Sequence, residues 1–203
     1  MIAVIDFGAG NLRSVVKAIA HLGYESTVTS DPREVQRAQV VILPGVGAAT
    51  EAMGHLRATG MEEPIRELLA EDRPFLGICL GLQVLFSSTE EGGQQPCLDL
   101  IPGSVKRFPP GLKIPQIGWN QVKQKGPHPI FEGIPDNSYF YFVHSYYAVP
   151  RESSLVLGET DYGITFASVI ARGNMVATQF HPEKSGALGL RLYHNFLGTH
   201  LGG

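Results

Sequence analysis

The chain has 203 residues, 43% of them hydrophobic and 17% charged, too apolar for a disordered chain and of a length that one hydrophobic core can serve, so a single domain over 1–203 is expected. Sixteen Lys and Arg against 19 Asp and Glu give a net charge of −3 without a basic run, which leaves nothing to neutralise a series of phosphates and excludes a nucleic-acid partner. The opening Met1-Ile-Ala-Val-Ile-Asp6 carries no basic stretch ahead of its apolar residues, and no apolar run nears the roughly 18 residues that span a bilayer, so a cytoplasmic protein without membrane contact is expected.

Residues 2–7 form a continuous apolar strand, after which Leu12, Val15, Val16, Ile19 and Leu22 recur at helical spacing and 40–43 returns to strand. That alternation predicts a parallel sheet covered by helices. A helical stretch around 65–70 leads into a fourth apolar strand at 74–78, and helical spacing resumes over 80–86, which sets Cys79 at a strand-to-helix turn. The second half is β-rich at 104–108, 116–123, 139–149 and 155–159, with strands predicted to pair antiparallel. Segments 166–171 and 175–180 flank Arg172-Gly173-Asn174, a connection of the kind that closes a hairpin, and His181 lies where that hairpin ends. Leu188, Leu192 and Phe196, beside Tyr193 and Leu197, make a one-sided apolar stripe for a docking helix.

Gly77-Ile78-Cys79-Leu80-Gly81 has the G-x-nucleophile-x-G form, whose small residues permit the sharp turn that exposes a nucleophile. A thiol at a helix N-terminus sits in the positive end of the helix dipole, which favours thiolate. Taken alone, a cysteine is more commonly a buried structural residue; the two glycines argue for chemistry. A thiolate that is acylated by its substrate needs a base and a group to fix that base's tautomer, and His181-Pro182-Glu183 offers both. The expected order is therefore Cys79, His181, Glu183. Pro44-Gly45-Val46-Gly47 follows a strand and, besides being an ordinary glycine turn, can aim backbone N–H groups at a tetrahedral oxyanion, with the N–H of Leu80 as a second donor. Cys97 has no glycine bracketing and reads as an incidental thiol. No C-x-x-C or H-x-x-x-H spacing occurs among the cysteines and the other six histidines, so no metal is expected.

These residues resemble the class I, or triad, glutamine amidotransferases, and within them the glutaminase subunits of imidazole glycerol phosphate synthases. The likeness runs from Gly8-Ala9-Gly10-Asn11 through Gly77-Ile78-Cys79-Leu80-Gly81-Leu82-Gln83 to Gln179-Phe180-His181-Pro182-Glu183-Lys184-Ser185, with Pro44-Gly45-Val46-Gly47 and Phe142-Val143-His144-Ser145-Tyr146 as the subfamily's marks. Leu82, where Met is common, and Ser145, where Thr is usual, are mild departures. The resemblance implies a three-layer α/β fold with an open, mixed, largely parallel sheet, and hydrolysis of L-glutamine without a cofactor. It also implies transfer of the ammonia to a TIM-barrel cyclase in a heterodimer serving histidine biosynthesis. By the same resemblance Val46 and Gly47 with Leu80 form the oxyanion hole, Gln83, Glu91 and the backbone of Ser145 and Tyr146 hold glutamine, and Asn11, Trp119, Tyr141 and Lys184 face the partner. Glu91 would meet the substrate ammonium. Pyridoxal phosphate and anthranilate amidotransferases, or a free-standing cysteine hydrolase, are the alternative readings.

Overall fold

Continuous apolar runs become central strands here because helices cover both of their faces. The computed structural model describes residues 1–8 and 11–202; Ala9 and Gly10 of the 8–11 motif lie outside them. The first half runs β1 (Ile2–Ile5), α1 (Leu12–His21), β2 (Ser26–Thr29), α2 (Pro32–Arg37), β3 (Val40–Gly45), α3 (Ala49–Ala58), α4 (Glu62–Ala70), β4 (Phe75–Cys79) and α5 (Leu80–Gln83). The second half adds β5 (Phe86–Thr89), β6 (Gln95–Pro96), β7 (Ile101–Arg107), β8 (Gln116–Gln124), β9 (Ser138–His144), β10 (Tyr146–Pro150), β11 (Val156–Asp161), β12 (Thr165–Arg172), β13 (Met175–Thr178) and α6 (Gly186–Leu201).

The sheet order is β2-β1-β3-β4-β13-β12-β10-β7-β5-β6, and β11, β8 and β9 branch from β12. Strands β2, β1, β3, β4 and β13 pair in parallel, whereas β12 turns antiparallel to β13. This is the mixed, helix-flanked α/β sheet that the resemblance implies, and its parallel part is the one that the alternation of strand and helix patterns predicts. The period of two divides each central strand between two cores. Ala3, Ile5, Val41 and Leu43 pack with Met53, Leu56, Ile65 and Leu68 of α3 and α4, while Ile2, Val4, Val40 and Ile42 pack with Val15 and Ile19 of α1 and Leu192 and Phe196 of α6.

Two sequence expectations change. The helix anticipated over 80–86 is a single turn, because the carbonyls of Val84 and Leu85 accept from Leu98, Leu100 and Ile101 and the chain enters β5. Tertiary backbone pairing overrides the local 3.6 period, and with one turn only, the dipole argument for Cys79 loses most of its force. The run 139–149 is two strands divided at Ser145: β9 pairs with β8, and β10 with β7 and β12. The helix α2 was not visible in apolar spacing, although Asp31 caps it through Arg33 N–H at 2.9 Å with Pro32 in the first turn.

Backbone proximity fixes two turns. A Cβ on Gly81 would stand 1.8 Å from the Leu43 carbonyl oxygen of β3, and one on Gly77 would meet the Gly81 carbonyl at 2.8 Å. At the other end of the sheet the β12–β13 hairpin turns at Gly173, with φ +55°, where a Cβ would lie 2.0 Å from Asp72 Oδ1. Asp72 accepts the Asn174 backbone N–H at 2.8 Å, and its own carbonyl accepts from Asn174 Nδ2 at 2.9 Å. These bonds tie the turn before β4 to the turn before β13. Gly81→Ala is therefore expected to destabilise by about 3 kcal/mol or more, the upper range for overpacking. Gly54→Ala, in the middle of α3 with open space around it, should instead gain about 0.5–1 kcal/mol. Urea denaturation of the two variants beside the parent checks both signs.

Candidate active site

The turn that follows β4 carries Cys79 at φ +55° and ψ −102°, a left-handed conformation that costs a non-glycine residue about 1–3 kcal/mol and persists only where packing enforces it. The enforcement is the close approach of Gly81 to β3. It turns the Cys79 side chain into a cavity of about 340 Å³ whose walls also include Val46, Gly47, Leu80, Gln83, Glu91, Ser145 and Tyr146. Every residue assigned by resemblance to the oxyanion hole and the glutamine site thus meets Cys79 in one cavity. Lys184, assigned to the partner face, lines it too, as do Val143 and His144 of the 142–146 motif and Pro115, which the sequence did not single out.

His181 and Glu183 stand behind the cavity wall. His181 follows β13 and opens a 3-10 turn, Pro182–Lys184. Its backbone N–H donates to the Tyr141 carbonyl at 2.9 Å, and Ser185 Oγ, which accepts from Tyr141 N–H at 3.0 Å, donates to the His181 carbonyl at 2.6 Å. Strand β9 therefore anchors the turn from both sides. The imidazole Nδ1 lies 2.7 Å from Glu183 Oε1, with both side chains almost wholly enclosed. Nε2, on the opposite edge of the ring, is buried without a hydrogen bond. Burial pushes the pKa of His181 down, but the Cys79 sulfur and then the Glu183 carboxylate outweigh it and hold the imidazole well above the ordinary histidine range.

A second layer of polar groups backs the sulfur. Gln83 donates from Nε2 to the Tyr146 carbonyl at 2.9 Å and to Gln179 Oε1 at 3.1 Å, and Gln179 Nε2 lies 3.6 Å from Cys79 Sγ. The nitrogen of Gln83 is thus engaged within the protein. His144 Nδ1 donates to the same Tyr146 carbonyl at 2.7 Å, and burial drops its pKa to about 4, so it is neutral near pH 7. Glu91 Oε2 accepts the Ala49 N–H at the start of α3 at 2.6 Å, which links this wall of the cavity to the helix that follows the Val46–Gly47 loop. Cys97 is enclosed in the core beneath α3, and burial lifts its thiol to about 11. Among the described residues, no group of three or more His, Cys, Asp or Glu is arranged to hold a metal ion, and no helix is long and apolar enough to cross a membrane.

Trp119, Tyr141 and Lys184, three of the four residues assigned to a partner surface, lie together. Trp119 and Tyr141 face each other across β8 and β9 with ring centroids 6.1 Å apart, and Lys184 Nζ sits 6.0 Å from the Tyr141 ring centre. Asn11 precedes α1, the helix that packs against the Pro182–Lys184 turn. Sequence reading missed Ile117 and Tyr139, which share the outward face of β8 and β9 with Trp119 and are more than half exposed. The period-two alternation of 116–122 and 138–144 carried that signal.

The class I glutamine amidotransferase family matches residues 3–198. An imidazole glycerol phosphate synthase subunit HisH of Dehalococcoides mccartyi (strain CBDB1) is 58% identical over 202 residues, covering all of this chain and 98% of its own, and the HisH subunit of Moorella thermoacetica is 56% identical over 195 residues, covering 96% and 93%. Among solved structures, PurLQS from Thermotoga maritima superposes with a TM-score of 0.78 at 15% identity over 98% of this chain and 97% of that one, and a glutamine amidotransferase with 0.73 at 22% identity over 97% and 96%. Those two likenesses concern the fold alone; the family match over residues 3–198 and the identities to HisH subunits along nearly the whole sequence show that the chain belongs to the class I glutamine amidotransferases.

Proposed function

We propose that the chain, acting as one domain, is the glutaminase subunit of an imidazole glycerol phosphate synthase, with Cys79, His181 and Glu183 as its catalytic triad. The observation that carries the assignment is the strained Cys79 at the cavity floor with the buried His181–Glu183 pair behind it. Glutamine enters with its ammonium toward Glu91 and its carboxylate toward the backbone at Ser145 and Tyr146, and Gln83 contributes through its oxygen. The Cys79 thiolate attacks the side-chain amide carbon, and the oxyanion is met by the N–H groups of Leu80 and of the Val46–Gly47 loop. The tetrahedral adduct collapses as His181 gives its proton to the departing nitrogen, releasing ammonia and leaving a thioester on Cys79. Water then attacks the thioester, His181 takes the water's proton, and glutamate leaves with the thiolate restored. Glu183 holds the imidazole tautomer and stabilises the imidazolium throughout.

The ammonia goes to a TIM-barrel cyclase subunit in a cytoplasmic heterodimer for histidine biosynthesis. An outward strip of Ile117, Trp119 and Tyr139 with Tyr141 and Lys184 beside the cavity rim supports docking there, with Asn11 as a further contact. Burial of such aromatic anchors is the usual core of a specific interface.

Three outcomes follow. A glutamine-mimicking electrophile should label Cys79 alone, since Cys97 is enclosed and its thiol raised to about 11; peptide mass mapping reads the site, and Cys79→Ala should have no glutaminase activity. Glu183→Gln removes a carboxylate that raises the His181 pKa, so the alkaline limb of the kcat/KM profile should move to lower pH while turnover drops by orders of magnitude; an unmoved limb would take Glu183 out of the triad. If the Val46 peptide must turn its N–H inward to complete the oxyanion hole, the isolated subunit should be slower than the liganded cyclase complex by about 10² to 10³, the value of one such donor, in steady-state ammonia release. Equal rates would remove the switch.

A further inference from the structure

Behind the nucleophile lies a side chain that the reaction above does not use. Gln179 is completely enclosed, at the position after β13 that its backbone N–H secures on the Ser168 carbonyl at 2.9 Å. A primary amide without access to water costs free energy unless both ends are bonded, and an apolar residue would pack there more cheaply. One end of this amide faces Gln83 and the other faces Cys79 Sγ.

The chemistry of the neighbours decides which end is which. The Tyr146 carbonyl oxygen only accepts, so the Gln83 atom 2.9 Å from it is the amide nitrogen. His144 Nδ1 donates to the same oxygen and cannot change its role. The second N–H of Gln83 points at Gln179, which requires an oxygen there and leaves the Gln179 NH₂ group toward the sulfur at 3.6 Å. Reversing the Gln179 amide would set NH₂ against NH₂ at one end and a carbonyl oxygen against the thiolate at the other. A main-chain carbonyl thus fixes, through two side chains, the polarity of the group that faces the nucleophile.

We propose that Gln179 is a catalytic hydrogen-bond donor to the Cys79 sulfur, stabilising its thiolate, with Gln83 as the positioning residue that locks the donor's orientation. The inference rests on the glutaminase reading for its role in turnover, but the hydrogen bond itself concerns the resting protein. A donor aimed at sulfur favours the anion before attack and again when the thioester breaks, because in both states the charge resides on sulfur. With the helix after Cys79 reduced to one turn, this amide supplies the fixed dipole that a longer helix would have provided.

The groups that act on the same sulfur are the Val143 carbonyl, which lies 3.9 Å from Sγ as an acceptor for the thiol, His181 with Glu183 behind it, and Glu91, His144 and Lys184 around the cavity. The test therefore varies Gln179 while leaving all of them in place. Gln179→Met keeps the length of the side chain but removes the donor without adding a charge; Gln179→Leu does the same with a branched side chain. The rate of iodoacetamide alkylation at Cys79, located by mass mapping in the intact protein, is followed against pH, and glutaminase kcat/KM is measured in parallel. Loss of one charge-assisted donor should raise the midpoint of the alkylation curve by about one to two pH units and lower kcat/KM by about tenfold to a hundredfold. A midpoint unchanged from the parent in a folded variant overturns the proposal, whatever happens to turnover. Should both variants fail to fold, Gln83→Met, which leaves Gln179 in place without its lock, decides by the same midpoint: an upward shift supports the proposal and none overturns it. Because alkylation needs no glutamine, a parent protein that shows the expected curve but no glutaminase activity would count against the functional reading and leave the donor standing.

Discussion

Where β3, β4 and the turn after Cys79 converge, three backbones pass within less than a side chain's width of each other, and they do so because Gly77 and Gly81 have no Cβ. The remainder of the site depends on that approach. It holds Cys79 in a conformation the residue would otherwise abandon, sets Leu80 and the Val46–Gly47 loop side by side at the carboxyl ends of parallel strands, and so brings the sulfur and its surrounding N–H groups to one crevice. The strain at Cys79 is sustained by the packing of two cores on either side of the sheet, not by any contact the thiol makes itself.

Several polar groups around this frame are turned by a neighbour with one possible role. Glu183 can only accept when ionised, so it keeps the proton of His181 on Nδ1 and leaves Nε2 for the sulfur side. The Tyr146 carbonyl does the same for His144 and Gln83. Buried ionic and amide groups of this kind contribute little net stability, since desolvation offsets much of their attraction. What they provide is orientation, and the enclosed His181–Glu183 pair shows that the chain accepts an energetic cost for a fixed imidazole.

Much of this was legible in the sequence. The apolar runs at 2–7, 40–43 and 74–78 and the bracketing glycines of Cys79 read directly, because strands covered on both faces must be continuously hydrophobic and a tight backbone crossing admits only glycine. The hairpin at 172–174 declared itself through Gly173. Less accessible were features decided by distant partners. Nothing in 80–86 discloses that the carbonyls of Val84 and Leu85 will be taken by residues 98–101, or that the run 139–149 must break at Ser145 to feed two different strand pairs. Gln179 appeared only as one letter of a motif, since its meaning lies in an amide direction set by Tyr146 and Gln83. His144 likewise appeared as one letter of the 142–146 motif, with no role attached to its ring. The outward face of β8 and β9 was readable by alternation, but in an α/β chain a row of Ile117, Trp119 and Tyr139 is easily credited to the core.

The clamp between Asp72 and Asn174 lies at the far end of the sheet from the cavity, yet it acts on the chemistry by counting. Strands β4 and β13 leave that clamp side by side, with Met175 beside Phe75 and Thr178 beside Ile78, so the next residues out are Gln179 and Cys79, and His181 follows two further on. Each strand residue advances about 3.3 Å and alternates faces. The reach between sulfur and imidazole is therefore a whole number of residues measured from a remote origin. Inserting or deleting one residue in either strand would displace the histidine from the thiol and exchange its face, with Cys79, His181 and Glu183 all still present in the sequence.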